Sequence, residues 1–109
     1  MSRVDYGQVD LELGDETVAL KPTLNALVKI NKRFGSIREA VSEVQNLNFE
    51  AICYVVQEGA GLNPRQADEL REAVFRTGLF NVMPQLCDYL TKLMNPTGKD
   101  EKDDDQGKA

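Results

Sequence analysis

The chain has 109 residues, of which 41% are hydrophobic and 28% charged, a composition typical of one small globular domain. The formal net charge of −5 does not favour nonspecific binding of a polyanion by the whole surface. The sequence contains no histidine, which removes the usual general base, the commonest zinc ligand and every Ser-His or Cys-His nucleophile pair.

The chain begins MSRVDYGQVD, which contains no apolar stretch, and no run approaches the about 18 apolar residues of a membrane span. We therefore expect neither a secretion signal nor a membrane helix, and a cytoplasmic location. Cys53 and Cys87 match no CxxC or metal-ligand spacing, so we expect reduced thiols, with a single disulfide as the alternative.

Charged residues occur in blocks of opposite sign. Residues 1–20 hold one basic and five acidic side chains, whereas residues 21–38 hold five basic side chains and no acid. Two interpretations remain open: the blocks neutralise each other in the fold, or the basic block faces an acidic partner.

Residues 8–21 predict a β-hairpin. Val9, Leu11 and Leu13 alternate with polar residues before an interruption at residues 14–16, and a second strand-like run follows. An isolated two-stranded hairpin is only marginally stable in water, so we expect the helices downstream to cover its apolar face.

Two helices are predicted next. Pro22 ends the second strand and Thr23 is a candidate N-cap for a helix that stops at Gly35. Ser36 and Glu39 then form a capping-box pattern that begins a second helix. The expected buried residues are Leu24, Leu27, Val28, Ile30 and Phe34 in the first helix, and Ile37, Ala40, Val41 and Val44 in the second.

The third helix carries the clearest helical pattern, capped by Asn48 and ended by Gly59-Ala60-Gly61. The residues expected to be buried are Phe49, Ile52, Cys53 and Val56, and Tyr54 and Val55 widen the apolar arc. We therefore interpret Cys53 as a core residue and this helix as central.

Asn63-Pro64 with Gln66 predicts the start of a fourth helix, which Gly78 ends. A fifth is predicted from about Asn81 to Met94, with Pro84 in its first turn. The predicted inner residues of these two helices are Ala67, Leu70, Val74, Leu86, Leu90 and Leu93.

The predicted fold class is α+β and mostly α, with an N-terminal β-hairpin packed on a bundle of four to five short helices. Residues 1–94 form the single globular domain, with the hairpin at 8–21 and the helices at 22–94. Residues 95–109 are predicted to be a disordered acidic tail. Its three consecutive aspartates lack the ligand spacing of a calcium loop.

Two groups of residues are candidates for partner binding. Lys29, Lys32 and Arg33 occupy neighbouring positions on the first helix. Phe80, Val82 and Met83 lie at the start of the last helix, where packing in the core is the competing interpretation. Nothing in the sequence pairs a nucleophile with a base or gathers metal ligands, so we expect no enzymatic activity, no cofactor and no metal.

The order of features resembles a known family. The alternating hairpin, the junction Val18-Ala19-Leu20-Lys21-Pro22-Thr23, and Leu27, Ile30 and Phe34-Gly35 are similar to the tail assembly chaperones of siphophages, prophages and gene transfer agents. Some members of this family are labelled tail tube proteins. The resemblance covers residues 8–94, and the strand-to-helix Leu-Lys-Pro-Thr junction is its sharpest element.

The resemblance implies a helical, non-enzymatic, oligomeric protein. Such chaperones bind the tape measure protein, keep it soluble and help the tail tube to polymerise around it, with the tail tube protein as a further partner. The implied location is the host cytoplasm, and the chaperone is expected to be absent from the mature virion.

Two other functions compete with this one. The first is a structural tail tube or connector subunit, which normally needs more sheet than this sequence predicts. The second is a small nucleic-acid-binding module built on the basic first helix, for which interleaved aromatic residues and a recognition-helix motif are missing.

Overall fold

The computed structural model describes residues 8–96, which form a two-stranded antiparallel sheet followed by five α-helices. The α+β, mostly α fold class is therefore confirmed. Residues 1–7 and 97–109 lie outside the described part, and with them all of the predicted tail except Asn95 and Pro96. The elements in chain order are β1 (Val9–Leu13), β2 (Glu16–Leu20), α1 (Leu24–Phe34), α2 (Ile37–Gln45), α3 (Phe49–Ala60), α4 (Pro64–Thr77) and α5 (Leu79–Met94).

The predicted hairpin forms, with Val9 opposite Leu20 and Leu13 opposite Glu16. Gly14 has a φ of 66°, as the first central position of a tight two-residue turn requires. The apolar side chains of β1 are buried against α5 and α4, and its acidic residues point to solvent. On β1 the backbone amide of Glu12 donates a 2.9 Å hydrogen bond to Oε1 of the Gln85 side chain in α5.

Helix α3 is the centre of the molecule, as its wide apolar arc predicts. It packs against β2 and all four other helices. Ile52, Cys53, Val55 and Val56 on this helix are all buried, which confirms Cys53 as a core residue. The remaining helices therefore lie around α3 and present their outer faces to solvent.

The helix starts are set by local hydrogen bonds that the sequence predicts. The side chains of Thr23, Ser36, Asn48 and Asn63 each accept a hydrogen bond from the backbone amide three residues later. At Asn63 the capping box is complete, because Gln66 Oε1 accepts the Asn63 amide at 3.0 Å. At Ser36 only the hydroxyl half of the expected box forms within residues 8–96.

Two helix boundaries differ from the prediction. Helix α3 continues through Gly59 and Ala60 and is capped by Gly61, so Gly59 is a helical residue and not a terminator. Helix α5 begins at Leu79 and not near Asn81, because Gly78 is both the C-cap of α4 and the N-cap of α5. Pro84 consequently lies in the second turn, where it removes the amide that would bond the Phe80 carbonyl.

The inner face of α1 also differs from the prediction. Its fully buried residues are Ala26 and Ile30, while Leu27 and Phe34 are half-buried. Leu24 and Val28, which were expected in the core, are 75% and 52% exposed. Ala26 and Ile30 lie four residues apart and form the inner row of α1, so Leu24 and Val28 lie on the other side of the helix.

Within the described residues, no helix is both long enough and apolar enough to cross a membrane.

The contact between Gly59 and Tyr89 gives a stability prediction. A methyl group at Gly59 would lie 3.1–3.2 Å from the fully buried Tyr89 ring and hydroxyl. That ring is held by a 2.7 Å hydrogen bond from its hydroxyl to the Lys21 carbonyl. We expect Gly59→Ala to lower the free energy of unfolding by about 1 kcal/mol, although alanine is the better helix former. Urea unfolding followed by circular dichroism measures this.

The control is the same substitution in a Tyr89→Leu background, where the ring is gone. There Gly59→Ala should be neutral or stabilising, because only the gain in helix propensity remains. An equal loss of stability in both backgrounds would contradict the assignment of the effect to the Tyr89 ring.

Candidate functional site

Helix α1 lies at the periphery of the bundle and packs chiefly on α2 and α3. Residues four apart share one face of a helix, so Leu24, Val28 and Lys32 form a single row on the solvent side. All three side chains are exposed. We call this row, together with the neighbouring Leu27, Lys29 and Asn31, the α1 outer face.

The α1 outer face contains a depression. An open cavity of about 430 Å³ is lined by Leu27, Val28, Asn31 and Lys32, all from the same helix. These four residues are neighbours across one helical turn. The depression is therefore lined by the apolar side chains of Leu27 and Val28 and by the polar side chains of Asn31 and Lys32.

The three basic candidates on α1 have different surroundings. Lys29 and Lys32 are exposed and lie three residues apart, which makes them neighbours beside the apolar row. Arg33 instead turns toward α3, where its guanidinium lies 4.9 Å from the centre of the Tyr54 ring and 5.9 Å from that of Phe34. Lys29 and Lys32 thus belong to the α1 outer face, whereas Arg33 is packed on aromatic rings.

No ion pair joins the acidic block to the basic block among residues 8–96. Within residues 8–96 the ion pairs are Arg71–Glu50, Arg76–Glu72 and Lys92–Asp88. None of them joins the acidic hairpin to α1, and none involves Lys29, Lys32 or Arg33. Lys29 and Lys32 are therefore left facing solvent in the described part of the molecule.

A second, polar groove lies where α3 faces α1 and α4. Arg71 makes two 2.8 Å hydrogen bonds to the Glu50 carboxylate and lies 5.0 Å from the centre of the Phe49 ring. The hydrogen bond from Arg71 lowers the pKa of Glu50, so this carboxylate stays ionised at neutral pH. The groove has a volume of about 230 Å³ and also includes Cys53 and Asp68 in its lining.

This groove lacks an activated nucleophile. Burial raises the pKa of the Cys53 thiol to about 11, so the thiol is protonated at neutral pH. Among the described residues no group of three or more cysteine, aspartate or glutamate side chains is arranged to hold a metal ion.

The three partner-binding candidates at the start of α5, Phe80, Val82 and Met83, differ in their exposure to solvent. Phe80 is 74% exposed and Met83 is half-buried, with its sulfur 3.8 Å from the Cys87 sulfur. Val82 is fully buried, so it belongs to the core and cannot contact a partner while α5 is folded. Its prediction as a partner-binding residue gives way to the competing core interpretation, because Val82 lies four residues before Leu86 and shares the buried stripe of α5 with it.

Three exposed apolar residues were missed by the sequence analysis. Leu24 and Val28 were assigned to the core, and Phe75 on α4, which is 71% exposed, was not singled out. The pairing of Ala26 with Ile30, four residues apart, was the available signal for the true inner face of α1. Nothing in the local sequence distinguishes Phe75 from a core phenylalanine.

Comparisons of this chain with protein-family models, with curated proteins and with solved structures find no match.

The raised pKa of Cys53 predicts a loss of stability at high pH. Its ordinary value is 9.0 and its value in the fold is about 11, so the unfolded chain releases the thiol proton first. The stability that the neutral thiol contributes is complete below pH 9 and is lost as the pH rises toward 11. We expect the urea midpoint to fall across this range.

The matched variant is Cys53→Ala, which removes the titrating group. Its urea midpoint should fall less over the same range than that of the unmodified protein. Equal losses would contradict the role of Cys53 and assign the effect to Tyr54 and Tyr89, whose pKa values are also raised by burial.

Proposed function

We propose that this protein is a tail assembly chaperone of a phage, prophage or gene transfer agent. In this proposal it binds the tape measure protein, keeps it soluble and promotes tail tube assembly without catalysis. The observation that carries the proposal is the α1 outer face, where Leu24 and Val28 are exposed beside two lysines that form no ion pair among residues 8–96. A face of this kind suits reversible binding to an amphipathic partner.

The resembling junction adds a second line of support. In the structure Leu20 ends β2, Pro22 lies between the elements and Thr23 caps α1. The segment that carries the likeness is therefore the segment that places α1 against the core. The same residues that suggest the family also orient the surface proposed to bind the partner.

The proposal includes self-association. A tape measure protein presents a long helical apolar surface, and one α1 helix of 11 residues covers only about 16 Å of it. Many weakly bound copies in contact with one another would cover such a surface through their high effective concentration. The proposed site of action is the host cytoplasm, and the mature virion is proposed to lack the protein.

Two observations favour the chaperone over its competitors. The described sheet has only two strands of five residues each, little material for the wall of a tail tube or a connector. On α1, the lysines adjoin leucine and valine, and Arg33 lies over Tyr54, so the helix does not present a continuous basic stripe to a phosphate backbone.

The test is co-expression with the long tape measure protein of the same genome, followed by copurification and light scattering. We expect a soluble complex with many copies of this protein per tape measure chain, and an insoluble tape measure without it. An unrelated long coiled coil, co-expressed in the same way, is the control for nonspecific coating.

The contrary result is equally clear. If the tape measure remains insoluble and this protein is found at high copy number in finished tails, it is a structural subunit. Copurification with the unrelated coiled coil to the same extent would also contradict a dedicated chaperone.

A further inference from the structure

The α1 outer face has the geometry of one half of a helix–helix contact. Leu24 and Val28 form an i, i+4 ridge, the row of side chains that packs into the groove of a facing helix. The opposite side of α1 packs on α2 and α3, and within residues 8–96 Leu24 and Val28 remain exposed.

The depression beside the ridge points to the same kind of occupant. Side chains of a facing helix pack into the spaces between side chains on a helix surface. The depression is lined by Leu27, Val28, Asn31 and Lys32. Its two apolar residues favour apolar side chains on the facing helix, and Lys32 favours an acidic neighbour.

The charges of Lys29 and Lys32 favour one kind of residue on the side of a bound helix that would lie over them. Lys32 continues the row of Leu24 and Val28, Lys29 lies beside it, and neither lysine forms an ion pair within residues 8–96. No acidic residue occurs between residues 21 and 38, so α1 itself supplies no counter-charge. A partner with acidic side chains on that flank would gain attraction there, and a basic one would be repelled.

We propose that the α1 outer face is a docking site for one amphipathic helix that has acidic residues beside its apolar stripe. The apolar stripe covers Leu24 and Val28 and inserts one side chain into the depression, and the acidic flank lies over Lys29 and Lys32. This inference rests on the proposed function in that a segment of the tape measure protein would supply the helix.

The other exposed apolar surface has fewer of these features. Phe75 and Phe80 lie on either side of Gly78, on two different helices. The arginines of α4 near Phe75, Arg71 and Arg76, are in ion pairs. Phe75 and Phe80 also do not form an i, i+4 ridge. The α4–α5 junction is therefore the comparison surface in the experiment and not the proposed site.

The probe is a synthetic helical peptide of about 18 residues, or about five turns, with a leucine stripe flanked by glutamates. A second peptide carries lysines in place of the glutamates, and a third keeps the glutamates and replaces the stripe leucines by serine. Binding to the full chain is measured by fluorescence anisotropy, and its location by amide chemical shifts.

We expect the glutamate peptide to bind about tenfold more tightly than the lysine peptide, with an affinity that falls as salt is added. The serine peptide should not bind. The largest amide shifts should fall in α1, residues 24–34, and not in the hairpin or at the α4–α5 junction.

Two double variants test the ridge and the flank separately. Leu24→Ser with Val28→Ser should weaken binding of the glutamate peptide by about tenfold or more, because it removes the apolar contact. Lys29→Glu with Lys32→Glu should reverse the preference, so that the lysine peptide becomes the tighter ligand. All four side chains are exposed, so the variants should keep the helical circular dichroism spectrum.

Each variant has a matched control. Arg38→Glu with Arg65→Glu changes the net charge by the same amount at two exposed sites outside α1, and should not reverse the preference. Phe75→Ser with Phe80→Ser removes two exposed apolar side chains elsewhere and should leave peptide affinity unchanged.

Several results would overturn the proposal: equal binding of the glutamate and lysine peptides, shifts centred outside α1, or loss of binding in the Phe75 and Phe80 variant. A self-associated state that dissociates in the Leu24 and Val28 variant, without peptide binding in the unmodified protein, would identify a second copy as the occupant.

Failure of the proposed function has a different signature. If the peptide binds α1 but the tape measure protein does not copurify, the docking site stands and the chaperone assignment fails. If the tape measure copurifies equally with the unmodified protein and the Leu24 and Val28 variant, while neither binds the peptide, the docking site fails.

Discussion

The backbone of Lys21 ties together three parts of the chain that are distant in sequence. Its amide donates a 2.9 Å hydrogen bond to the Gly59 carbonyl at the end of α3, and its carbonyl accepts the Tyr89 hydroxyl of α5 at 2.7 Å. The Tyr89 ring in turn packs against Gly59, which has no side chain to displace it. Lys21 is thus fixed by both of its peptide groups just before Pro22 and Thr23 begin α1. The direction in which α1 leaves the sheet, and therefore the face it presents to solvent, depends on this junction.

The local elements were predictable because their causes are local. The hairpin follows from alternating apolar residues around Gly14, and the helix starts at Thr23, Ser36, Asn48 and Asn63 follow from side chains that accept nearby amides. The misassigned positions depend on contacts between remote residues. Gly59 looks like a helix terminator in isolation, and only the Tyr89 ring, thirty residues later, explains why a glycine lies inside α3.

The candidate surface was predictable in part. The sequence identified Lys29 and Lys32 as basic residues on one helix, but it assigned Leu24 and Val28 to the core because leucine and valine are usually buried. Their exposure depends on the rotation of α1 about its axis, which places Ala26 and Ile30 toward the bundle. Val82 shows the opposite error. It was a candidate for partner binding, but it lies four residues before Leu86 and shares the buried stripe of α5 with it.

The exposed apolar residues and the lysines of α1 together determine which partner this helix can bind. Leu24 and Val28 would favour pairing of α1 with α1 of another copy if apolar contact were the only interaction. Such pairing would bring Lys29 and Lys32 of both copies together, and like charges across an interface oppose association. The acidic block could have cancelled these charges within the fold, but no ion pair joins it to α1 in the described residues. Lys29 and Lys32 therefore oppose the pairing of two copies through this face. The same two charges attract a helix that carries acidic residues beside its apolar stripe.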